Sequence, residues 1–254
     1  MFLAIVNAAS DHKNDLDEFY RLIGDLESGV GGMRPFNDIG RSSDWPMRGV
    51  YLLFEKDEVR TSRGQQLRVT RIGTHAIRRN SRTTLLGRLK AHRGYLQGGG
   101  NHRGSVLRKH VGRAILNSLE FQSTVPTWDA EGANKDERRR EQILESRVSE
   151  YIGNMQILWL KISDEPSERS DRAFIEKNAI ALLTLGMRPC DIPSQSWLGN
   201  FSPEPIIRRS GLWNLQHSGA HYDSRFIRAL EEYVEITVGR RPDTGSAMAP
   251  IDWY

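Results

Sequence analysis

Arg88 and His92 stand four positions apart in a segment of helical periodicity, whose leucines occupy the other side. Residues four apart lie on one helix face, so a guanidinium and an imidazole are predicted to project together. Glu176 is set alone into a strongly apolar helical segment. A carboxylate there is costly to bury unless it is paired or binds a metal ion. Taken singly, Arg88 and His92 could be solvent contacts, and Glu176 could face the surface or pair with Arg172.

A basic tract surrounds the first two of these residues. From Val59 to Leu119 the chain has fourteen Lys or Arg residues and four of its seven histidines, but no Asp or Glu. The formal net charge of the chain is only +4, so the remaining residues carry −10. A basic segment without carboxylates leaves its cations available to a polyanion, whose binding is driven largely by counterion release. Phosphate is therefore the predicted partner, and the alternative is a solvated basic face.

Within this tract we predict side chains that contact a nucleic-acid backbone. Gly99 to Arg103 has the composition of a flexible loop with hydrogen-bond donors, although a plain turn is the alternative. The helix predicted from Ser105 to Leu119 is expected to turn Arg108 towards solvent or ligand. The full predicted set is Arg78, Arg79, Lys90, Asn101, His102, Arg103 and Arg108.

Composition limits the class of protein. With 254 residues, 38% hydrophobic and 27% charged, the chain is predicted to form one elaborated soluble domain. Cys190 is the only cysteine, which excludes an internal disulfide and a thiolate zinc cluster. The apolar run from Met1 to Val6 is short and lacks a basic leader, so we expect no membrane association and a cytoplasmic location.

The order of periodic segments predicts the elements that must position these residues. Gly49–Glu55 and Leu67–Ile72 are β-branched or alternating runs and predict a hairpin. Ser81 begins a helix-start signal, and that helix is predicted to end before Gly94. The remaining predictions are an N-terminal helix ending near Gly29, a strand at 155–162, and helices at 105–119, 135–151, 171–185 and 226–234.

Short motifs lie on these elements in a set order. Gly49-Val50-Tyr51 is in the first strand and Ile72-Gly73 ends the second. Arg88 and His92 follow on the next helix, and Glu176 stands in the last apolar helix. In this order they resemble the GIY-YIG nuclease family, and within it bacterial members with the segments WPxRGVY, IGTH, GGGNHRGS, IExNAIALL and SGLWN.

The resemblance implies a fold. It is an α+β fold with a small three-stranded antiparallel sheet flanked by helices, in the order β-β-α-β-α. The core is expected at about 48–186, interrupted by an insertion at about 95–153. Residues 1–47 would form an N-terminal helical extension, and 187–254 a loop-rich C-terminal extension, all within a single domain.

The resemblance also implies roles for individual residues. Tyr51 corresponds to the tyrosine that acts as general base on water, and Arg88 to the arginine that steadies the scissile phosphate. His92 would hydrogen-bond the phosphate or the water. Glu176 corresponds to the family's single metal carboxylate, which with water and substrate oxygens suits Mg²⁺, or Mn²⁺ in its place. An unperturbed tyrosine is a weak acid, so a tyrosine base needs cations nearby, and the basic tract is expected to provide them.

The sequence departs from the family pattern at one position. The second motif normally begins with tyrosine, and here Arg71 stands there. Arginine cannot readily accept a proton, but it can hold a phosphate or act electrostatically on Tyr51. His75, just after this motif, is predicted to support the site. Asn214 resembles the late asparagine that braces the site, and Asn200 is its rival.

The leading functional expectation is a Mg²⁺-dependent endonuclease that cuts DNA, in a restriction, mobile-element or defence context. A homodimer would be needed to cut both strands together. The missing tyrosine motivates one alternative, a non-catalytic nucleic-acid-binding module on the same fold. A second alternative is a scaffold protein whose basic tract binds an acidic protein.

Overall fold

The computed structural model of the protein describes residues 2–41, 44–62, 64–118 and 124–245, with the backbone alone for 2–10. The helices are α1 (Phe2–Gly29), α2 (Leu85–Arg93), α3 (Val106–Asn117), α4 (Lys135–Gly153), α5 (Asp171–Leu183), α6 (Pro205–Ser210) and α7 (Arg225–Thr237). The strands are β1 (Arg34–Pro35), β2 (Gly49–Val59), β3 (Leu67–Gly73) and β4 (Gln156–Lys161).

The four strands form one antiparallel sheet in the order β1-β4-β2-β3. The predicted α+β class is confirmed, and so is the hairpin, with Tyr51 opposite Gly73. The two-residue β1 adds a fourth strand at the β4 edge that the sequence pattern did not predict, because two residues are too short to show alternation. The register of β2 against β3 shifts after Leu53, which accommodates the long hairpin.

Side-chain alternation along β2 divides the interior into two cores. Val50, Leu52 and Phe54 point into a core built with α1, α5 and α7. Tyr51 and Leu53 point into a second core built with α2, α3 and α4. The sheet is therefore covered by helices on both faces, and the insertion between α2 and β4 supplies α3 and α4 to the face that carries Tyr51.

Two extensions differ from their prediction. The first helix is longer than the apolar pattern indicated, running from Phe2 to Gly29. Beyond Gly186 the expected loop-rich region contains the short helix α6, which begins with Pro205 at its first position. In the part of the chain that the structure describes, no helix combines the length and the apolar character needed to cross a bilayer.

The two motif glycines are required by close packing. A Cβ on Gly49 would lie 2.1 Å from the backbone oxygen of Leu160 in β4. A Cβ on Gly73 would lie 2.3 Å from the hydroxyl oxygen of Tyr51. Both distances are far inside van der Waals contact. The glycines therefore let β4 and the Tyr51 ring approach their neighbours closely.

We predict that Gly49→Ala destabilises the protein by roughly 2 kcal/mol or more, because backbone must move to admit the methyl group. Gly24→Ala is the matched control, since a Cβ on Gly24 inside α1 would contact nothing within 4 Å. This control should raise the free energy of unfolding by up to about 1 kcal/mol, because alanine has a higher helix propensity than glycine. Urea unfolding of both variants measures the difference, and equal midpoints would contradict the packing argument.

Candidate active site

The hydroxyl of Tyr51 lies at the centre of the site. Its ring is fully buried against the backbone of Gly73, and its oxygen is 2.8 Å from Nε2 of His92. Nε of Arg71 donates to the same oxygen at 3.2 Å. Two strands and α2 thus bring three predicted site residues together around one phenol oxygen.

His92 is fully buried on α2, with both ring nitrogens engaged. Its Nδ1 is 2.6 Å from Oγ of Ser105, the residue that caps α3. Burial lowers the pKa of His92 well below its usual value, and the charges of Arg88, Arg71 and Arg108 lower it further. The imidazole is therefore neutral at physiological pH.

Arg71 and the end of β3 are braced by a segment that follows α6. Arg71 Nη1 donates to the carbonyl oxygen of Trp213 at 2.6 Å. The side chain of Asn214 pairs with Ile72, accepting from its N–H at 3.1 Å and donating to its carbonyl oxygen at 2.8 Å. Asn200 instead caps carbonyls of its own loop. Asn214, and not its rival, occupies the bracing position.

Glu176 reaches the site from α5. Its Oε1 accepts a hydrogen bond from the backbone N–H of Thr74 at 3.1 Å, just beyond the end of β3. Burial raises the pKa of this carboxyl to about 7, although the charges of Arg71, Arg88 and Arg172 act in the opposite direction. Among the described residues it makes no ion pair, and its Oε2 accepts no hydrogen bond.

Arg172 does not pair with Glu176, which settles the alternative raised by the sequence. It is fully buried, pairs with Asp164 and also donates to the carbonyl oxygens of His75 and Ala76. These contacts hold the loop between β3 and α2. His75 Nδ1 lies 3.2 Å from the carbonyl oxygen of Thr83, while its Nε2 is buried without a partner. Burial, and then the charge of Arg172, lower the pKa of His75 to about 4.

Arg88 contributes a guanidinium to this site from α2. Its guanidinium makes no hydrogen bond and no ion pair within the described residues, and its Nε is buried. Its charge acts on both Glu176 and His92. A guanidinium left unpaired in this way is prepared for an anion with two oxygens, such as a phosphate.

A sequence model of the GIY-YIG domain matches residues 10–239, which is most of the chain. The chain belongs to the GIY-YIG nuclease family. No curated protein and no solved structure gave a significant match. The GIY-YIG match extends through the insertion and across α7, so these regions belong to the matched domain.

The basic tract of this GIY-YIG protein separates into paired and unpaired cations. In the part of the tract that the structure describes, carboxylates from outside it form ion pairs with six residues, which are Arg60, Arg68, Arg103, Arg108, Lys109 and Arg113. Within the described ranges, five others have no ion pair and no side-chain hydrogen bond, and these are Arg78, Arg79, Arg82, Arg88 and Lys90. All five lie on α2 or on the loop that precedes it. We call them the unpaired cations.

Three residues predicted to contact nucleic acid are engaged inside the protein instead. The expectation that Arg108 faces solvent or ligand is wrong, because it is fully buried and pairs with Glu145 of α4. His102 is buried too, and bonds Glu145 through Nδ1 at 2.9 Å. Arg103 makes a two-pronged ion pair with Glu141. Their acidic partners lie about forty residues away in the chain, so local sequence could not reveal them. Asn101 is exposed and accepts from the N–H of Arg103 at 3.1 Å.

The sequence also missed residues that complete the site. Ser105 and Thr74 contact His92 and Glu176, and Arg172 holds the loop beside them. Ser105 carries one readable signal, since serine before an amphipathic run is a typical N-cap. Its contact with His92 depends on how α3 packs on α2.

The chemistry of Glu176 is compatible with a metal site that uses a single carboxylate. Its Oε2 accepts no hydrogen bond from the described residues, and the charge of the unpaired Arg88 guanidinium acts on the carboxyl. Among the described residues, no group of three or more His, Cys, Asp or Glu could hold a metal ion. A single protein carboxylate is compatible with Mg²⁺, because this ion keeps several waters and is usually bound through one or two carboxylates together with substrate phosphate.

We predict that Glu176 makes stability depend on pH. In the folded protein the pKa of Glu176 is raised to about 7. Its contribution to the free energy of unfolding is therefore fully present below about pH 4.5 and is lost as the pH rises through 7. Glu176→Gln, which stays neutral, should therefore gain stability over wild type between pH 5 and pH 8 by about 1 to 3 kcal/mol. Denaturant unfolding in EDTA measures this difference. The exposed Glu168→Gln is the control, and a pH-independent difference for Glu176→Gln would refute the prediction.

Proposed function

We propose that this protein is a metal-dependent endonuclease that hydrolyses DNA phosphodiester bonds. The observation that carries the proposal is the convergence of Tyr51, Arg88 and Glu176 from β2, α2 and α5. Tyr51 is hydrogen-bonded to Arg71 and His92, Arg88 is an unpaired cation, and Glu176 has a free carboxylate oxygen. Hydrolysis of a phosphodiester needs a proton acceptor for water, stabilisation of developing negative charge, and orientation of the phosphate.

Each of these residues then has a distinct role. Tyr51, as the phenolate, takes a proton from the attacking water. The guanidinium of Arg88 holds two oxygens of the scissile phosphate and offsets the charge that develops on them. Glu176 would hold Mg²⁺ or Mn²⁺, which supplies Lewis-acid polarisation of the phosphoryl oxygen and help for the leaving oxygen. Arg71 places the positive charge of its guanidinium beside Tyr51.

The unpaired cations supply the interface for the DNA backbone. Arg78, Arg79 and Lys90 are exposed and lie on the same loop and helix as Arg88. They would bind phosphates on either side of the cut without reading bases, because exposed Lys and Arg contacts fix the position of DNA and carry no direct sequence information. Cutting both strands together calls for two copies of the chain, so we propose a homodimer for that reaction.

Arg71 favours one other candidate function. The family places a tyrosine where Arg71 stands, so this chain could bind nucleic acid without cutting it. The unpaired cations would then bind the nucleic-acid backbone. Glu176 would have only a structural role, through its hydrogen bond with the N–H of Thr74.

Cleavage of supercoiled plasmid DNA distinguishes these functions. We expect wild-type protein to nick or linearise the plasmid with Mg²⁺ or Mn²⁺ and not with EDTA. Tyr51→Phe, Arg88→Ala and Glu176→Gln should each lower the rate by roughly 100-fold or more. Arg147→Ala is the matched control, since Arg147 is exposed on α4 and pairs only with Glu150. Cleavage that survives EDTA and Glu176→Gln would reject this mechanism, and binding without cleavage would support the module.

The salt dependence of DNA affinity tests the proposed interface between the unpaired cations and the DNA backbone. Arg78→Ala and Arg79→Ala should each weaken DNA binding about equally for unrelated sequences and reduce the slope of log affinity against log salt by about 1. Arg103→Ala is the comparison, because its guanidinium is already paired with Glu141. Fluorescence anisotropy at several salt concentrations gives the slope. A slope unchanged by Arg78→Ala and Arg79→Ala would place the interface elsewhere.

A further inference from the structure

A continuous row of hydrogen bonds crosses the site and ends in the insertion. Arg71 Nε donates to the oxygen of Tyr51 at 3.2 Å, and that oxygen is 2.8 Å from Nε2 of His92. Nδ1 of His92 is 2.6 Å from Oγ of Ser105, which accepts from the backbone N–H of Arg108 at 3.2 Å. The row therefore has four contacts and links β3, β2, α2 and α3.

Both ends of the row are groups that can only donate. The Nε–H of Arg71 and the backbone N–H of Arg108 cannot accept a hydrogen bond. Between them, the phenol, the neutral imidazole and the serine hydroxyl bring one proton each. Five protons thus compete for four contacts, and one of them has no acceptor in the row. With Tyr51 neutral all four contacts can still form, but one hydroxyl proton then has no acceptor in the row. Removal of one proton leaves every remaining proton of the row with an acceptor.

The proposed reaction uses Tyr51 as the base, so the form of the row that acts in the reaction is the one in which the phenol oxygen has given up its proton. The negative charge of that form lies on Tyr51. The phenolate then accepts from Arg71 and from Nε2–H of His92, while Nδ1 accepts from the hydroxyl of Ser105. In this arrangement no buried polar atom of the row is left without a partner.

The charges around His92 support a neutral ring that carries a single proton. Burial lowers its pKa, and it is faced by Arg88 on its own helix, Arg71 on β3 and Arg108 on α3. Glu145 of α4 pairs with Arg108. Because the ring carries one proton, the group that bonds Nδ1 determines whether Nε2 donates or accepts.

We propose that Ser105 is a positioning residue that holds His92 as the Nε2–H tautomer and so stabilises the phenolate of Tyr51. The inference deepens the proposed function and rests on it. It assigns a step of the reaction to the insertion, since α3 delivers the serine hydroxyl that turns the imidazole into a donor. Ser105 acts through His92 and touches no reacting atom itself.

The insertion is built to keep Ser105 in place. Arg108 Nη1 donates to the carbonyl oxygens of His92 and Arg93 at 3.1 and 3.0 Å, which attaches α3 to the end of α2. A Cβ on Gly100 would lie 2.5 Å from the guanidinium carbon of Arg108. One on Gly94 would lie 2.8 Å from its Nη1. The absence of side chains at Gly94 and Gly100 therefore allows the guanidinium of Arg108 to approach the backbone at both positions.

Nitrogen NMR of the histidine rings tests the tautomer directly, on metal-free protein without DNA. In wild type at pH 7.5 we expect His92 to be protonated at Nε2 and not at Nδ1. Ser105→Ala should lose this preference, and Ser105→Thr should keep it because the hydroxyl is retained. The inference would be overturned by a wild-type ring protonated at Nδ1, or by a ratio of the two His92 tautomers that is the same in Ser105→Ala as in wild type. Either result holds whether or not the protein cuts DNA.

Kinetics separate positioning from simple stabilisation. Ser105→Ala should lower kcat by roughly tenfold to a hundredfold with KM for DNA unchanged, and Ser105→Thr should restore most of it. Asn134→Ala removes a comparable N-cap from α4 and should lower stability without lowering kcat. If Ser105→Ala behaves as Asn134→Ala does, the serine is only a cap and the proposal fails. If wild type does not cut DNA, the proposed function fails, and the NMR result still decides the tautomer.

Discussion

The burial of one phenol oxygen is the constraint on which the site depends. Tyr51 has no exposed surface, and an unpaired hydroxyl in such a place would cost about 1 to 3 kcal/mol. Arg71 and His92 provide its partners. Each partner is in turn fixed by another element, because Arg71 donates to Trp213 and His92 bonds Ser105. The core β-hairpin, the insertion and the C-terminal extension are therefore all needed to satisfy a single atom.

Charge pairing determines where the positive field acts. The basic tract contains no acid, yet carboxylates from α4 and other elements outside it neutralise the arginines that hold the insertion together. The carboxyl of Glu145 on α4 illustrates how burial and ion pairing act in opposite directions on a pKa. Burial alone would raise its pKa, but hydrogen bonds from His102 and Arg108 bring the pKa below its usual value. The unpaired cations all lie on α2 or on the loop before it, so the positive charge that is left for an external anion is concentrated in that part of the chain.

Arg71 stands where the second family motif begins with tyrosine, and it changes what that position offers to Tyr51. A tyrosine there would offer a neutral hydroxyl, whereas the guanidinium offers a permanent charge and several donors. Its position is secured beyond the hydrogen bond to Trp213, because the indole Nε1 of Trp213 donates to the partly buried carboxyl of Glu55 at 3.0 Å. The same carboxyl accepts from Trp197 at 3.1 Å. A polar cluster therefore supports the strand that carries Arg71.

The sequence by itself determined the α+β class, most of the elements and the order of the motifs. Alternation in β2 and the apolar run of α5 are local patterns, and Gly49, Tyr51, Arg88, His92 and Glu176 could be placed on their elements from those patterns. Only the tertiary structure decided which cations are free and which are paired. Arg78, Arg103 and Arg108 all lie in the tract that contains no Asp or Glu. Arg103 and Arg108 are nevertheless paired, because Glu141 and Glu145 contact them from α4. The contact of Ser105 with His92 was likewise decided by the packing of α3 on α2, since hydrogen bonds between elements depend on three-dimensional approach and leave no periodic trace in the chain.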